Sequence, residues 1–163
     1  MKKIYYSIIL IITLIFINSC AGYKPIFSSS DLQFQIAEHS IEGNEKLGNL
    51  IYSKLYNISE ANKESEQKRN LNITIDVSKK KNSTAKDSTG KVLEYKISLS
   101  TKVLVKDYLT NSDLLNYDFN SSLSYKVQDQ YSETIKLEKK SIDDLINKTL
   151  QDLLIKLSES MTN

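Results

Sequence analysis

The side chains whose type and spacing bear on chemistry are few: Cys20, His39, the neighbouring pair Asp143 and Asp144, and lysines at 79, 80, 81, 86 and 91. Cys20 is the only cysteine, so it has no partner for a disulfide within the chain and no second thiolate for a zinc site. His39, the only histidine, falls at the end of an alternating run with no accompanying nucleophile or carboxylate pattern, and reads as an ordinary surface or packing residue rather than a general base. Asp143 and Asp144 are adjacent in a helical stretch, so they point in different directions and make a poor acid–base pair; they favour a helix amino end or solvate a face. No phosphate-cradling glycine loop, zinc spacing or nucleophile elbow is present. The expectation is a protein without catalytic residues, metal or cofactor.

The one concentration of charge is Lys79, Lys80 and Lys81, with Lys86 and Lys91 close by. Two readings stay open: a solvated loop in a lysine-rich chain, or a cationic finger for an anionic lipid head group, where lysine serves as a point charge for phosphate. The alternation of neighbouring strands disappears between Lys79 and Lys86, which predicts that "KKKNSTAK" projects beyond the core as the tip of a long hairpin. Of the ten tyrosines, Tyr95, Tyr117 and Tyr125 sit on apolar strand faces and read as core residues with a polar tip.

Cys20 gains its meaning from what precedes it. Met1-Lys2-Lys3 is a short positive start, and Ile4 to Ile17 is an apolar stretch of 14 residues. That is short of the ~20 residues that span a bilayer core, but it has the length of a signal-peptide apolar region. Asn18-Ser19-Cys20-Ala21-Gly22 then resembles the bacterial lipobox, whose cysteine is lipidated and becomes the first residue of the mature chain. An uncleaved signal anchor is the runner-up. Both readings hold the body at an envelope membrane.

The body that must follow is read from composition and period. A chain of 163 residues with 40% apolar and 26% charged residues has the composition of one folded domain with a short extension. Without the first 19 residues, and so without Lys2 and Lys3, 20 basic residues face 20 acidic ones. A nucleic-acid binder needs a cationic surplus to displace counterions, so that class is set aside. The expected organisation is a signal peptide over 1–19, the lipidated cysteine and a tether over 20–30, and one folded domain over 31–163.

Leu32, Phe34 and Ile36 alternate with polar residues and predict a first strand to about Ile41. Leu47, Leu50, Ile51, Leu55 and Ile58 recur at helical spacing and predict a helix over about 44–59 capped by Asn44. A polar segment closes it. Three alternating runs follow: Leu71 to Val77, Leu93 to Val105 and Leu115 to Val127, with Asp87 to Gly90 as the tight turn between the first two. Ile142, Leu145, Ile146, Leu150, Leu153, Leu154 and Leu157 then form the stripe of one helix over about 132–159. The fold class is α+β: a mostly antiparallel four-stranded sheet covered on one face by two helices, in the order β-α-β-β-β-α.

Cys20-Ala21-Gly22-Tyr23-Lys24-Pro25-Ile26-Phe27 is similar to the start of the LptE-type lipopolysaccharide-assembly lipoproteins, especially their alphaproteobacterial branch, and the succession of strands, turn and terminal helix resembles that family over about 20–160. Ala21 before Gly22 departs from the commoner Cys-Gly start. The resemblance implies a lipoprotein on the periplasmic face of the outer membrane whose body plugs the lumen of an LptD-type barrel, helps that barrel assemble, and contacts lipopolysaccharide through basic residues. Lys79, Lys80, Lys81 and Lys86 are the candidates for that contact. The rival expectation is a generic envelope lipoprotein that binds a lipid or another periplasmic protein.

Overall fold

The computed structural model describes residues 32–61 and 68–162. Six elements follow one another: β1 (Phe34–Gly43), α1 (Glu45–Ala61), β2 (Arg69–Lys86), β3 (Val92–Asp107), β4 (Asp113–Lys126) and α2 (Tyr131–Thr162). The chain therefore adopts the expected α+β class and order. The expected leader and tether, with Cys20, lie outside the described residues.

The strands lie side by side as β1-β2-β3-β4. β2–β3 and β3–β4 are antiparallel hairpin neighbours, whereas β1 runs parallel to β2, so the sheet is mixed. The parallel pair follows from connectivity: α1 carries the chain back along the sheet before β2 begins, and such a crossover is what a parallel pair requires. β1 also holds a bulge, since Ile36 pairs with Leu71 but the next paired residue is Glu38, with Asn72. The extra residue, Ala37, reverses the alternation. His39 and Ile41 consequently take the face that Phe34 and Ile36 occupied, and His39 stacks on Tyr52 of α1 with ring centroids 3.8 Å apart.

At the β1–α1 junction the chain turns sharply. Gly43 adopts φ 70°, a conformation that costs an L side chain energy, and a Cβ there would run into the carbonyl oxygen of Val77. Asn44 then caps α1 as expected, its Oδ1 accepting the Leu47 amide at 3.1 Å, while its own amide donates to the Val77 carbonyl at 2.7 Å. Leu47, Ile51 and Leu55 of the helix are buried against the sheet.

The apolar strand face is covered as the alternation requires. Leu71, Ile73, Ile75 and Val77 of β2 and Ile97, Leu99, Val103 and Val105 of β3 are buried in one core with Leu145, Ile146, Leu153 and Leu157 of α2. Full burial of such a side chain stabilises the fold by about 1.5–3 kcal/mol, so this layer is the main driving force for the arrangement. Leu93 and Tyr117 share the parity of the apolar positions but lie at the margin and stay exposed. Ser141 is buried inside a continuous α2. Lys54 joins the helices through Asp143 at 3.5 Å and Asn147 at 3.0 Å.

α2 runs antiparallel along β4. Glu138 meets Tyr125 and Lys156 lies over the ring of Tyr117. Eighteen residues of helix at about 1.5 Å each span ~27 Å, and eight of strand at about 3.3 Å span ~26 Å.

Candidate functional site

The lysine-rich segment is not a hairpin tip. Residues 79–86 continue β2 and pair with β3 from Lys79–Leu99 to Lys86–Val92, and the turn proper is Asp87 to Lys91. Its polar composition hid a strand whose pairing rests on backbone hydrogen bonds and on polar cross-strand contacts such as Thr84 with Glu94 at 2.7 Å, none of which an apolar alternation marks. Within the turn Asp87 accepts the Thr89 amide at 2.8 Å, the Thr89 hydroxyl at 2.7 Å and the Lys91 amide at 3.0 Å, bonds that hold its pKa low. Gly90 has φ 87°, as the turn sequence suggested.

Because β2 is a strand here, its lysines divide between two faces. Lys79 and Lys81 share the parity of Val77 and the helix-covered side; Lys80 shares that of Ser78 and the open side. Lys81 is held tightly. Its Nζ lies 2.6 Å from Glu138 of α2 and 4.3 Å from the centroid of the Tyr95 ring, and the Tyr125 hydroxyl donates to the same Glu138 carboxylate at 3.0 Å. Burial alone would lower the Lys81 pKa, but the bonds to Glu138 and Tyr125 outweigh it and raise the value. Glu138 is lowered, first by the hydrogen bond from Lys81 and against the effect of burial. Three aromatic or charged partners drawn from β3, β4 and α2 thus surround one lysine. Lys79 and Lys86 remain exposed on the strand. The four candidates do not form one cationic finger.

The open face of the sheet is polar throughout its centre. Ser78, Lys80, Ser98, Ser100, Asn120 and Ser122 line a shallow depression of about 450 Å³. Beside it the register sets Glu42, Asp76, Lys102 and Asp118 in one row across all four strands. Short hydroxyl and amide groups on a regular strand lattice offer many donors and acceptors, with Leu99 also lining the depression. Such a face suits a polar wall or a hydroxylated, phosphorylated ligand better than a greasy one.

The remaining chemically notable residues stay apart. His39 is stacked on Tyr52, and Asp143 is engaged by Lys54 and Asn147. Among the described residues no three of the metal-ligating types gather into a group that could hold an ion.

Two functional-looking features escaped sequence reasoning. Glu138 had no local signal, because its partner lies 57 residues away. The second is Asp107, which ends β3 and is bound by Arg69 at 2.6 Å and by the amides of Leu109 and Thr110 at 3.0 and 2.9 Å. The Arg69 bond above all, with those amides, pulls its pKa down to about 2. The signal was present in part, since Arg69 is the only arginine in a chain otherwise supplied with lysine.

No protein-family model matches the chain, and no curated relative does. Solved structures do match. An uncharacterized lipoprotein B from Nitrosomonas europaea aligns at a TM-score of 0.60 with 17% identity, covering 86% of this chain and 93% of the other. Rare lipoprotein B from Shewanella oneidensis aligns at 0.54 with 12% identity, covering 77% and 97%, and a minor lipoprotein from Acinetobacter baumannii at 0.55 with 12%, covering 80% and 95%. The fold is one that these bacterial lipoproteins share. Nearly the full length of each neighbour is matched, so the likeness extends over both helices and the whole sheet rather than one hairpin.

Proposed function

We propose that this chain is a non-enzymatic, lipid-anchored lipoprotein of the outer membrane, on its periplasmic face, that plugs and helps assemble an LptD-type barrel for lipopolysaccharide insertion. The observation that carries the reading is the open sheet face: a broad array of serine, asparagine and paired charge, in a fold shared with bacterial lipoproteins, on a chain that begins with a lipobox-like leader. A plug in a water-filled barrel must present polar groups to a polar lumen wall, and three strands of this sheet carry such groups on their open face. Cys20 supplies the anchor. Lys80 on the open face, with exposed Lys79 and Lys86, supplies the cations available for lipid phosphate, while the charge of Lys81 is committed to Glu138.

The test is to tag the carboxyl terminus, extract the native envelope in mild detergent and identify what copurifies. A large outer-membrane barrel in near-equal amount supports the plug. A stable chain recovered alone from the inner-membrane fraction refutes it and leaves a signal-anchored or generic lipid-binding protein.

A further inference from the structure

The two ends of the sheet differ in chemistry. At the β2–β3 end the turn carries Asp87 and Lys91 and is exposed and charged. At the other end the β3–β4 turn reads Tyr108-Leu109-Thr110-Asn111-Ser112, with no formal charge. Leu109 is 82% exposed, more than any other large hydrophobic among the described residues, and Tyr108 beside it is 45% exposed. Leu109 and Tyr108 are adjacent, so this end of the sheet presents a small uncharged apolar apex where the other end presents charge.

The turn is built to be rigid and to bond its own amides. The amide of Tyr108 donates to the Asn70 carbonyl at 2.9 Å, those of Leu109 and Thr110 to the Asp107 carboxylate at 3.0 and 2.9 Å, and that of Asn111 to the Asp107 carbonyl at 2.9 Å. Asn111 takes φ 54°, closing the loop, and Ser112 returns a carbonyl to the Asp107 amide at 3.0 Å. Four successive amides at the apex are therefore satisfied within the protein. The Asp87 turn is closed by the same kind of bonds, so they make the tip rigid, and what distinguishes the two ends is the uncharged, apolar apex here.

The position of the turn selects the occupant. β1 starts at the same end, since Phe34 pairs with Arg69 and Arg69 bonds Asp107 at the base of the turn. Only twelve positions separate Cys20 from Leu32, at most about 40 Å of chain even when fully extended. On the anchored reading given above, on which this inference rests, that end is the one held near the bilayer.

We propose that the Tyr108–Ser112 turn is a membrane-inserting tip: Leu109 enters the acyl boundary of the leaflet that holds the anchor, and Tyr108 lies at head-group level with its hydroxyl toward water. This division of roles follows the ordinary preference of tyrosine for the interface and of leucine for hydrocarbon. The tip fixes the sheet's direction relative to the membrane, which a single covalent anchor would leave free.

The chain has no tryptophan, so a single one reports cleanly. Leu109→Trp and, at the charged end, Ser88→Trp are each introduced into the full chain, purified in detergent and reconstituted into phosphatidylethanolamine–phosphatidylglycerol vesicles with and without brominated lipid. The expected result is a blue-shifted emission for Leu109→Trp that brominated lipid quenches and aqueous iodide does not, and the reverse for Ser88→Trp. Equal exposure of both tryptophans to iodide overturns the proposal. Mass analysis of the same preparation separates this outcome from the anchor. An acylated chain with an iodide-accessible Leu109→Trp keeps the anchor and loses the tip, whereas an unacylated chain whose tryptophan is still shielded on added vesicles loses the anchor and keeps the tip.

Discussion

Replacing Lys81 by serine should destabilise the fold, and replacing Lys80 beside it should not. The Lys81 side chain is 33% exposed and that of Glu138 17%, so their 2.6 Å pair is partly shielded from solvent and salt. A pair of this kind contributes about 1 kcal/mol, at the upper end of exposed pairs. The ammonium 4.3 Å from the Tyr95 centroid adds about 0.5–1 kcal/mol. Together the loss is about 2 kcal/mol, which for a domain of this size lowers the melting temperature by about 6–10 °C. Lys80, exposed on the open face, should change stability by less than about 0.5 kcal/mol. The assay is thermal and urea unfolding followed by circular dichroism for both variants, with Glu138→Gln and the double variant closing the cycle. The losses in Lys81→Ser and Glu138→Gln should be strongly non-additive. If Lys81→Ser and Lys80→Ser melt alike, or the cycle is additive, the commitment of Lys81 to Glu138 and Tyr95 is wrong and the cationic-finger reading regains it.

Gly43→Ala should cost about 3 kcal/mol, from the left-handed backbone of Gly43 and the overlap of a Cβ with the Val77 carbonyl, and a wild-type urea midpoint would contradict that geometry. Asp107 has its folded pKa lowered to about 2, so it contributes stability that is present above its ordinary carboxylate pKa and lost as the pH falls toward 2. Melts of wild type and Asp107→Asn should accordingly differ at pH 6 and converge on acidification; a constant gap would show that the Arg69 bond is not the source. Cys20→Ala should abolish acylation, and a lipid mass persisting on the variant would remove the lipobox. Serine at Lys79, Lys80 and Lys86 together should weaken lipopolysaccharide binding in a salt-sensitive way, and unchanged binding would return those residues to the solvated surface.

The elements were legible in the sequence because the core is built from regular periods. Leu71 to Val77 and Leu145 to Leu157 can satisfy their patterns in only one kind of backbone, and Asn44, Asp87 and Gly90 mark their own turns. Three things were not legible. Pairing direction leaves no trace in alternation, so the parallel partnership of β1 was invisible. The bulge at Ala37 looked like a strand losing its pattern. The extension of β2 through Lys86 carries no apolar face of its own and stays exposed, with Tyr95, Tyr125 and Glu138, all distant in sequence, gathered around Lys81. The candidate site suffered most from this last point: four lysines close in sequence read as one feature, and a strand separates neighbours by half a turn.

The matched lengths of α2 and β4 set a rule for how this chain can change over evolutionary time. Both spans are fixed at their two ends by side-chain contacts, at Glu138 with Tyr125 and at Lys156 with Tyr117. One residue inserted into the helix between those points turns everything beyond it by about 100°, carrying Lys156 off Tyr117 and Leu153 and Leu157 out of the core. One residue inserted into the strand exchanges its faces. Relatives should therefore differ in length at the turns and beyond the two clamps, while the stretch between them keeps a constant count of residues even where almost no side chain is shared.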